Sequence, residues 1–220
     1  MGVLWGCFEC PPAQAEDWES SKSSWTSITL RKPIGGAQSK WFVDVQPSVL
    51  VATQSELDRV FIRGGVGYRF RPTIAFQQGY FFGLPFQDPG AVEHRVFQQL
   101  NIEKPLGKFT LGSRTRLEER FLPGVSGTSV RLRQRLQATH PLGKSGKWYA
   151  IAFDEGFVVL NDLAAGPQAG LDRNRIFVGV GRHLRPGMAL EVGYMNDWVN
   201  RPTGQPNQLL HTLWINLNIR

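Results

Sequence analysis

The chain has 220 residues with a net charge of +7, 41% of them hydrophobic, and its mean hydropathy is −0.24. It contains no run of about 18 apolar residues, which excludes a transmembrane helix. A membrane β-barrel remains compatible with these averages, because lipid-facing apolar residues alternate with polar lumen residues along each of its strands. No Pro/Ser-rich or charged linker divides the chain, so we expect a single folding unit.

The first segment has the features of a secretory signal. Residues 1–15 end in Ala13-Gln14-Ala15, which matches the small-residue pattern of a cleavage site, although the apolar part is short enough to indicate a truncated start. Cys7 and Cys10 lie in this segment without further Cys or His ligands nearby, so no metal or cofactor is predicted. We therefore expect a signal peptide over 1–15 and a barrel over 16–220.

After this segment, period-two alternation of apolar and polar residues recurs after nearly every turn. The predicted strands are Ser24–Leu30, Lys40–Leu50, Leu57–Phe70, Thr73–Phe82, Glu93–Glu103, Phe109–Phe121, Ser129–His140, Lys147–Leu160, Arg173–Arg182, Met188–Val199 and Leu209–Ile219. Most of them approach the ~9–11 residues that a tilted strand needs to cross a bilayer. Strands of soluble proteins are shorter, typically about 5–6 residues.

The numbering of the charged residues supports this interpretation. In the sixth predicted strand Leu111 and Leu117 have odd numbers, whereas Arg114, Arg116 and Glu118 have even numbers. Successive strand residues face opposite sides, so these charges share one face. An arginine facing lipid at the bilayer midplane costs about 2–4 kcal/mol, which favours an inward orientation. A soluble antiparallel sandwich or lipocalin-like barrel, with apolar residues inside, gives the same alternation, but strand length and aromatic residues near strand ends favour the membrane.

Short and long connections alternate along the chain, as they do between the two ends of an outer-membrane barrel. This alternation leaves the start of the first predicted strand at the long-loop side. Either Glu16–Ser23 forms a further strand, giving twelve, or it threads the lumen. We predict an antiparallel transmembrane meander barrel of about twelve strands, within a range of ten to twelve.

A set of ordered sequence strings resembles an uncharacterised bacterial family catalogued as domain of unknown function 2490. The strings are Glu93-His94-Arg95-Val96-Phe97-Gln98-Gln99-Leu100, Leu106-Gly107-Lys108-Phe109, Arg114-Thr115-Arg116-Leu117-Glu118-Glu119-Arg120-Phe121, Arg131-Leu132-Arg133, Asp154-Glu155, Asp172-Arg173-Asn174-Arg175 and Gly193-Tyr194-Met195-Asn196. The resemblance covers nearly all of the predicted mature chain. It implies an outer-membrane barrel without an established activity.

The inward face is predicted to carry a network of arginines and carboxylates. Its members are Arg63, Glu93, Arg95, Arg114, Arg116, Glu118, Arg120, Arg131, Arg133, Arg135, Asp154 and Arg175, and the same face is predicted to carry Glu103, Glu191 and Asp197. One interpretation is purely structural, because Arg and carboxylates satisfy one another in a narrow lumen. The other is an anion-preferring constriction, in which surplus arginines attract anionic solutes.

A lipid hydrolase or deacylase is the alternative function. His94 and His211 fall on the lipid-facing side, where barrel hydrolases place their sites, but no nucleophile motif accompanies them, so no catalytic residue is predicted. Nucleic acid is not expected as a partner, because the arginines sort inward rather than onto an exposed patch. The expected partners are outer-membrane lipid and lipopolysaccharide, the barrel-assembly machinery and small anionic solutes.

Overall fold

The computed structural model describes residues 18–52, 57–201 and 205–220, and the regular elements within these ranges are β-strands. They are β1 (Trp18–Pro33), β2 (Trp41–Ala52), β3 (Leu57–Arg71), β4 (Ile74–Pro85), β5 (Glu93–Leu106), β6 (Phe109–Phe121), β7 (Ser129–Leu142), β8 (Trp148–Val159), β9 (Gly170–Arg185), β10 (Met188–Val199) and β11 (Asn207–Ile219). No helix capable of crossing a membrane occurs among these residues. The predicted signal peptide over 1–15 lies outside the described residues.

The eleven strands form one closed barrel in which neighbours in sequence are neighbours in space. Consecutive strands pair antiparallel, whereas β1 and β11 close the barrel in parallel, with Ser27 opposite Asn216. The predicted all-β meander barrel is confirmed, and eleven strands lie within the predicted ten to twelve. The count differs by one strand from the twelve favoured within that range.

The difference lies at the start of the chain. The separate strand predicted over Glu16–Ser23 does not form in the described part of this segment, because Trp18–Ser23 is the beginning of β1. The sequence from Trp18 to Ser24 contains no Gly or Pro that could form a turn, so the strand continues without interruption. Alternating directions over an odd number of strands leave the first and last strands parallel.

The two ends of the barrel differ in their connections. At the short-turn end, the hairpins after β3, β5 and β9 turn through residues 72–73, 107–108 and 186–187. Gly107 and Gly187 have φ angles of 59° and 74° there, a conformation that tight hairpin turns require and that glycine adopts without strain. At the long-loop end, the connections after β4, β6, β8 and β10 span 86–92, 122–128, 160–169 and 200–206.

The outer face of the barrel is apolar and the inner face is buried. On β9, Ile176 and Val178 point outward with 51% and 61% of their surface exposed, while Phe177 between them is completely buried. On β6, Arg116 and Glu118 are buried to 3% and 1% exposure. Exposed aliphatic side chains around buried ions reverse the arrangement of a water-soluble protein, in which charges are almost always at the surface.

Aromatic side chains also fill part of the interior, which the sequence analysis did not predict. Phe153, Phe177 and Trp214 pack together with ring centroids 4.7–5.9 Å apart. Gly179 and Gly193 face each other across β9 and β10, and a Cβ atom on either would lie 2.6 Å from the Phe177 ring. Because neither glycine has a side chain, the Phe177 ring can occupy the space above them.

Candidate anion site in the barrel interior

Two carboxylates organise the centre of the charged interior. Glu118 on β6 accepts hydrogen bonds from Arg131 and Arg133 on β7, each with a closest N–O distance of 2.6 Å. Glu155 on β8 accepts from Arg133 at 2.9 Å and from Arg114 at 2.6 Å. Burying these ions is costly, and the cost is offset because each carboxylate is held by two guanidinium groups.

Further ion pairs extend this network toward the long-loop end. Glu93, at the start of β5, accepts from Arg95 at 2.6 Å and from Arg120 at 2.7 Å. Asp197, near the end of β10, accepts from Arg175 at 2.9 Å and from Arg173 at 3.1 Å. Each of these carboxylates contacts two arginines, so its single negative charge neutralises them only in part.

Some of the arginines have no carboxylate of their own. The Arg63 Nη2 atom lies 3.6 Å from Oδ1 of Asp44, and the other carboxylate oxygen of Asp44 lies 2.9 Å from Nη2 of Arg31. Arg116 donates from Nε to the side-chain oxygen of Gln99 at 2.8 Å and shares Glu118, whose Oε1 lies 3.5 Å from its Nη1, with Arg131 and Arg133. Arg135 lies over the ring of Phe153. Positive charge is therefore in excess in this part of the lumen.

The aromatic residues of the inner face support the guanidinium groups. Arg116 lies 4.4 Å from the ring centroid of Phe97, and Arg133 lies 4.4 Å from that of Phe157. A cation over an aromatic face is stabilised by about 0.5–1 kcal/mol at exposed sites, and by more when both groups are desolvated. These contacts hold arginines in place without neutralising their charge.

The structure places all but one of the predicted network residues on the inner face. These are Arg63, Glu93, Arg95, Arg114, Arg116, Glu118, Arg120, Arg131, Arg133, Arg135 and Arg175. Asp154 is the exception and its assignment was wrong: it is exposed on the outer face, where Asn174 donates to it at 2.7 Å. Glu155 takes the inner position. The inner face of β8 also carries Phe153 and Phe157. Because the prediction takes apolar residues to face outward, it places Asp154 on the inner face and Glu155 on the outer face.

Sequence reasoning also missed several inner residues of the network. Asp44, Asp172 and Arg173 form ion pairs with predicted members, and Gln77 and Gln99 are buried beside them. Asp44 shares its parity with the apolar Phe42 on β2, so alternation alone does not identify it. Asp172 and Arg173 could have been found, since they stand in the string that carries the family resemblance.

A cavity of about 390 Å³ opens toward the long-loop end of the lumen. Basic residues outnumber acidic ones in its wall. The basic lining residues are Lys22, Arg59, Arg63, Arg95, Arg116, Arg120, Arg131, Arg133, Arg173 and Arg175, and the acidic ones are Asp58, Glu93 and Asp197. We call this the cationic cavity.

A second cavity of about 410 Å³ lies at the short-turn end. Tyr149 donates from its hydroxyl to Glu191 at 2.9 Å in its wall, and Glu103, His183 and Arg220 also line it. The two cavities share no lining residue, and the buried layer that contains Glu155 lies between their walls. The lumen is therefore wide at both ends and filled with side chains in the middle.

The two histidines on the outer face of the barrel, His94 and His211, each contact a tyrosine. The Nδ1 atom of His94 hydrogen-bonds the hydroxyl of Tyr80, and Nδ1 of His211 hydrogen-bonds that of Tyr194. Asn196 donates to the Tyr194 hydroxyl at 3.4 Å. In both pairs the oxygen on the imidazole is a phenol rather than the serine hydroxyl of a hydrolase.

Closed meander topology, an apolar exterior and a charged interior define a porin-like β-barrel. The chain belongs to the family described as protein of unknown function DUF2490, whose model matches residues 22–208. It is 32% identical over 202 residues to an uncharacterized protein of Methylorubrum extorquens, covering 89% of this chain and 86% of that protein.

The fold is also similar to a solved structure of the NanC porin in a rhombohedral crystal form. The TM-score is 0.53 at 10% sequence identity, and the alignment covers 90% of this chain and 98% of the porin chain. At this identity the likeness is one of fold alone. The shared architecture is the closed barrel, and solute preference has to be argued from the residues of this chain.

Proposed function

We propose that this chain is an integral protein of the bacterial outer membrane whose narrow, arginine-lined interior lets small anions pass. The apolar outer face and strands of 12 to 16 residues support the location, because an outer-membrane barrel presents an apolar band about 25 Å tall. The family resemblance and the fold likeness to the NanC porin agree with it.

The cationic cavity carries the functional part of the proposal. Its wall holds more basic than acidic side chains, so an anion that enters from the long-loop end is attracted and a cation is repelled. A low-dielectric wall strengthens this effect relative to bulk water. Passage then requires small movements in the filled central layer, and we expect a low conductance.

A structural barrel without passage is the second candidate, and the bonding of the central layer favours it. Glu118 and Glu155 are held by arginines from neighbouring strands at 2.6–2.9 Å, so this layer can stiffen the barrel without any solute. Conductance separates the two functions.

The partners follow from the same placement. The rings of Trp41 and Tyr68 pack edge-on near the short-turn end, with centroids 5.0 Å apart, and the centroids of Trp18 and Trp198 lie 6.3 Å apart near the long-loop end. Aromatic pairs at both ends fit the two interfaces of a bilayer. In this orientation the long loops lie among lipopolysaccharide. The barrel-assembly machinery is the expected factor that inserts the chain into the membrane.

The experiment is a reversal-potential measurement on the refolded chain in a planar bilayer under a KCl gradient. We expect anion preference in the parent chain and about a fivefold lower anion-to-cation ratio in the Arg63→Gln/Arg116→Gln variant, from about 1 kcal/mol of lost charge interaction. Neither substitution strands a carboxylate, since Asp44 keeps Arg31 and Glu118 keeps Arg131.

The matched control is the Arg71→Gln/Arg185→Gln variant, which also removes two charges, from exposed positions at the ends of β3 and β9. An unchanged ratio in the lumen variant would reject the anion passage, and a silent bilayer would favour the structural barrel. The hydrolase alternative is measured on the same sample with phospholipid in mixed micelles. Hydrolysis that disappears in His94→Ala or His211→Ala would establish that alternative.

A further inference from the structure

We infer that the wall of the cationic cavity formed by β1, β2 and β3 binds an aromatic carboxylate. This inference rests on the proposed anion passage and names the class of solute that the passage would hold. It comes from three hydrogen-bond donors that lack an acceptor in the described part of the chain and lie next to an aromatic surface.

The three donors are the Trp25 indole Nε1, the Ser48 hydroxyl and the Arg63 Nε. Each is a buried atom without a hydrogen-bond partner among the described residues, and all three residues line the cationic cavity. Ser48 is only 3% exposed. Buried donors are rarely left unsatisfied, because an unmade hydrogen bond costs about 1–3 kcal/mol.

The strand register brings these donors to one wall. Ser48 on β2 lies directly opposite Phe61 on β3, and Arg63 is two positions further along the same inner face. On the other side, Ser48 lies opposite Ser27 on β1, and Trp25 is the preceding inner residue of that strand. Ser48 therefore lies between the other two donors, with Trp25 on its long-loop side and Arg63 on its short-turn side.

An apolar surface continues from the same wall. The Phe61 ring meets Trp25 edge-on at 5.1 Å and lies 5.6 Å from Phe81. Aromatic rings pack well against other planar rings in such offset and edge arrangements. A ligand with a planar apolar body can contact these rings while its polar group faces the donors.

The charge of the polar group follows from Arg63. Asp44 lies 3.6 Å from Arg63 and is shared with Arg31, so one carboxylate serves two guanidinium groups and a further anion is attracted. A carboxylate accepts hydrogen bonds through both oxygens, which matches an indole N–H, a hydroxyl and a guanidinium N–H. A cavity of about 390 Å³ is large enough for a single-ring acid.

The test uses para-fluorobenzoate and fluorine NMR on the full chain refolded in detergent micelles. We expect saturable binding, and dissociation constants roughly tenfold or more higher in Ser48→Ala and in Trp25→Phe, since each loses one hydrogen bond to a charged group. Trp25→Phe keeps an aromatic ring. The matched control is Ser129→Ala, because Ser129 is equally buried, has no hydroxyl partner among the described residues and does not line the cavity.

Two further probes separate the features of the ligand. Para-fluorobenzyl alcohol, which lacks the charge, should bind at least roughly tenfold more weakly than the acid. Inorganic phosphate should displace the acid only at much higher concentration, because it has no ring to contact Phe61. Equal competition by phosphate, or equal losses in Ser48→Ala and Ser129→Ala, would overturn the assignment.

The outcome of this test is separable from that of the conductance experiment. Saturable binding without anion-selective conductance would retain the site and reject the passage. Anion-selective conductance without saturable binding of para-fluorobenzoate would reject the site and leave the passage intact.

Discussion

Glu118 and Arg131 lie directly opposite each other on β6 and β7, and their side chains form a buried ion pair of 2.6 Å. Arg133 pairs with the same carboxylate at 2.6 Å, so a single acid holds two arginines on the neighbouring strand. Like charges this close repel unless an anion lies between them. The stability of the arginine wall therefore depends on Glu118.

Replacing this carboxylate should destabilise the barrel. We expect Glu118→Gln to lower the free energy of unfolding by about 3–5 kcal/mol, because it removes the carboxylate that Arg116, Arg131 and Arg133 share. Arg131 then keeps Asp172 and Arg133 keeps Glu155, whereas Arg116 loses its carboxylate partner among the described residues. The measurement is equilibrium unfolding by denaturant in lipid vesicles. Glu119→Gln is the control, since Glu119 is the next residue of β6 and faces the other side of the strand. Equal losses in the two variants would contradict a special role for Glu118.

The packing of Phe177 gives a second prediction. A Cβ atom at Gly193 would lie 2.6 Å from both the Phe177 ring and the Cα of Gly179, so Gly193→Ala should destabilise the barrel by about 1–3 kcal/mol. Gly156→Ala is the matched control, because a Cβ atom there meets nothing within 4 Å. Both variants are compared by gel electrophoresis of samples heated to increasing temperatures, which gives the temperature at which the folded band converts to the unfolded band. A control that loses as much as Gly193→Ala would show that the barrel does not depend on this space.

The charge pattern of the fold could be predicted from the sequence, because a strand has a period of two. Arg114, Arg116 and Glu118 alternate with apolar residues, and this alone places them on one face. The same rule failed for Asp154 and Glu155, since the inner face of β8 carries phenylalanines and its apolar side is not its outer side.

The partners of the inner residues could not be predicted, since they depend on which strands meet across the lumen. Glu155 on β8 receives Arg114 from β6, although β7 lies between these strands. The Trp25 indole N–H has no hydrogen-bond acceptor among the described residues, and this feature too can be recognised only once the barrel is closed. The alternation of polar and apolar residues carries no information about either feature.

The orientation of the barrel predicts a depth-dependent effect on its outer face. Leu136 lies near the middle of β7 with 61% of its surface exposed, and Leu106 ends β5 at the short-turn end with 56% exposed. We expect Leu136→Arg to cost about 2–4 kcal/mol in a bilayer and Leu106→Arg about 0–1 kcal/mol, because the cost of a lipid-facing arginine falls toward the interface. Denaturant unfolding in vesicles measures both, and equal costs at the two depths would argue against a bilayer around β7.

The parallel closure predicts a specific cross-link. Ser27 and Asn216 are opposite each other on β1 and β11, and the Ser27 hydroxyl donates to the Asn216 side-chain oxygen at 2.7 Å. Cysteines at these two positions should form a disulfide under mild oxidation, because paired strand residues satisfy the Cα separation of about 4.4–6.8 Å that the bond requires. Cys7 and Cys10 are replaced by serine in all variants to remove competing thiols. Cysteines at Ser23 and Asn216 serve as the control, since Ser23 lies opposite Thr212, four residues along β11 from Asn216. If a further strand stood between β1 and β11, neither pair would cross-link, whereas an eleven-strand barrel gives a disulfide only between positions 27 and 216.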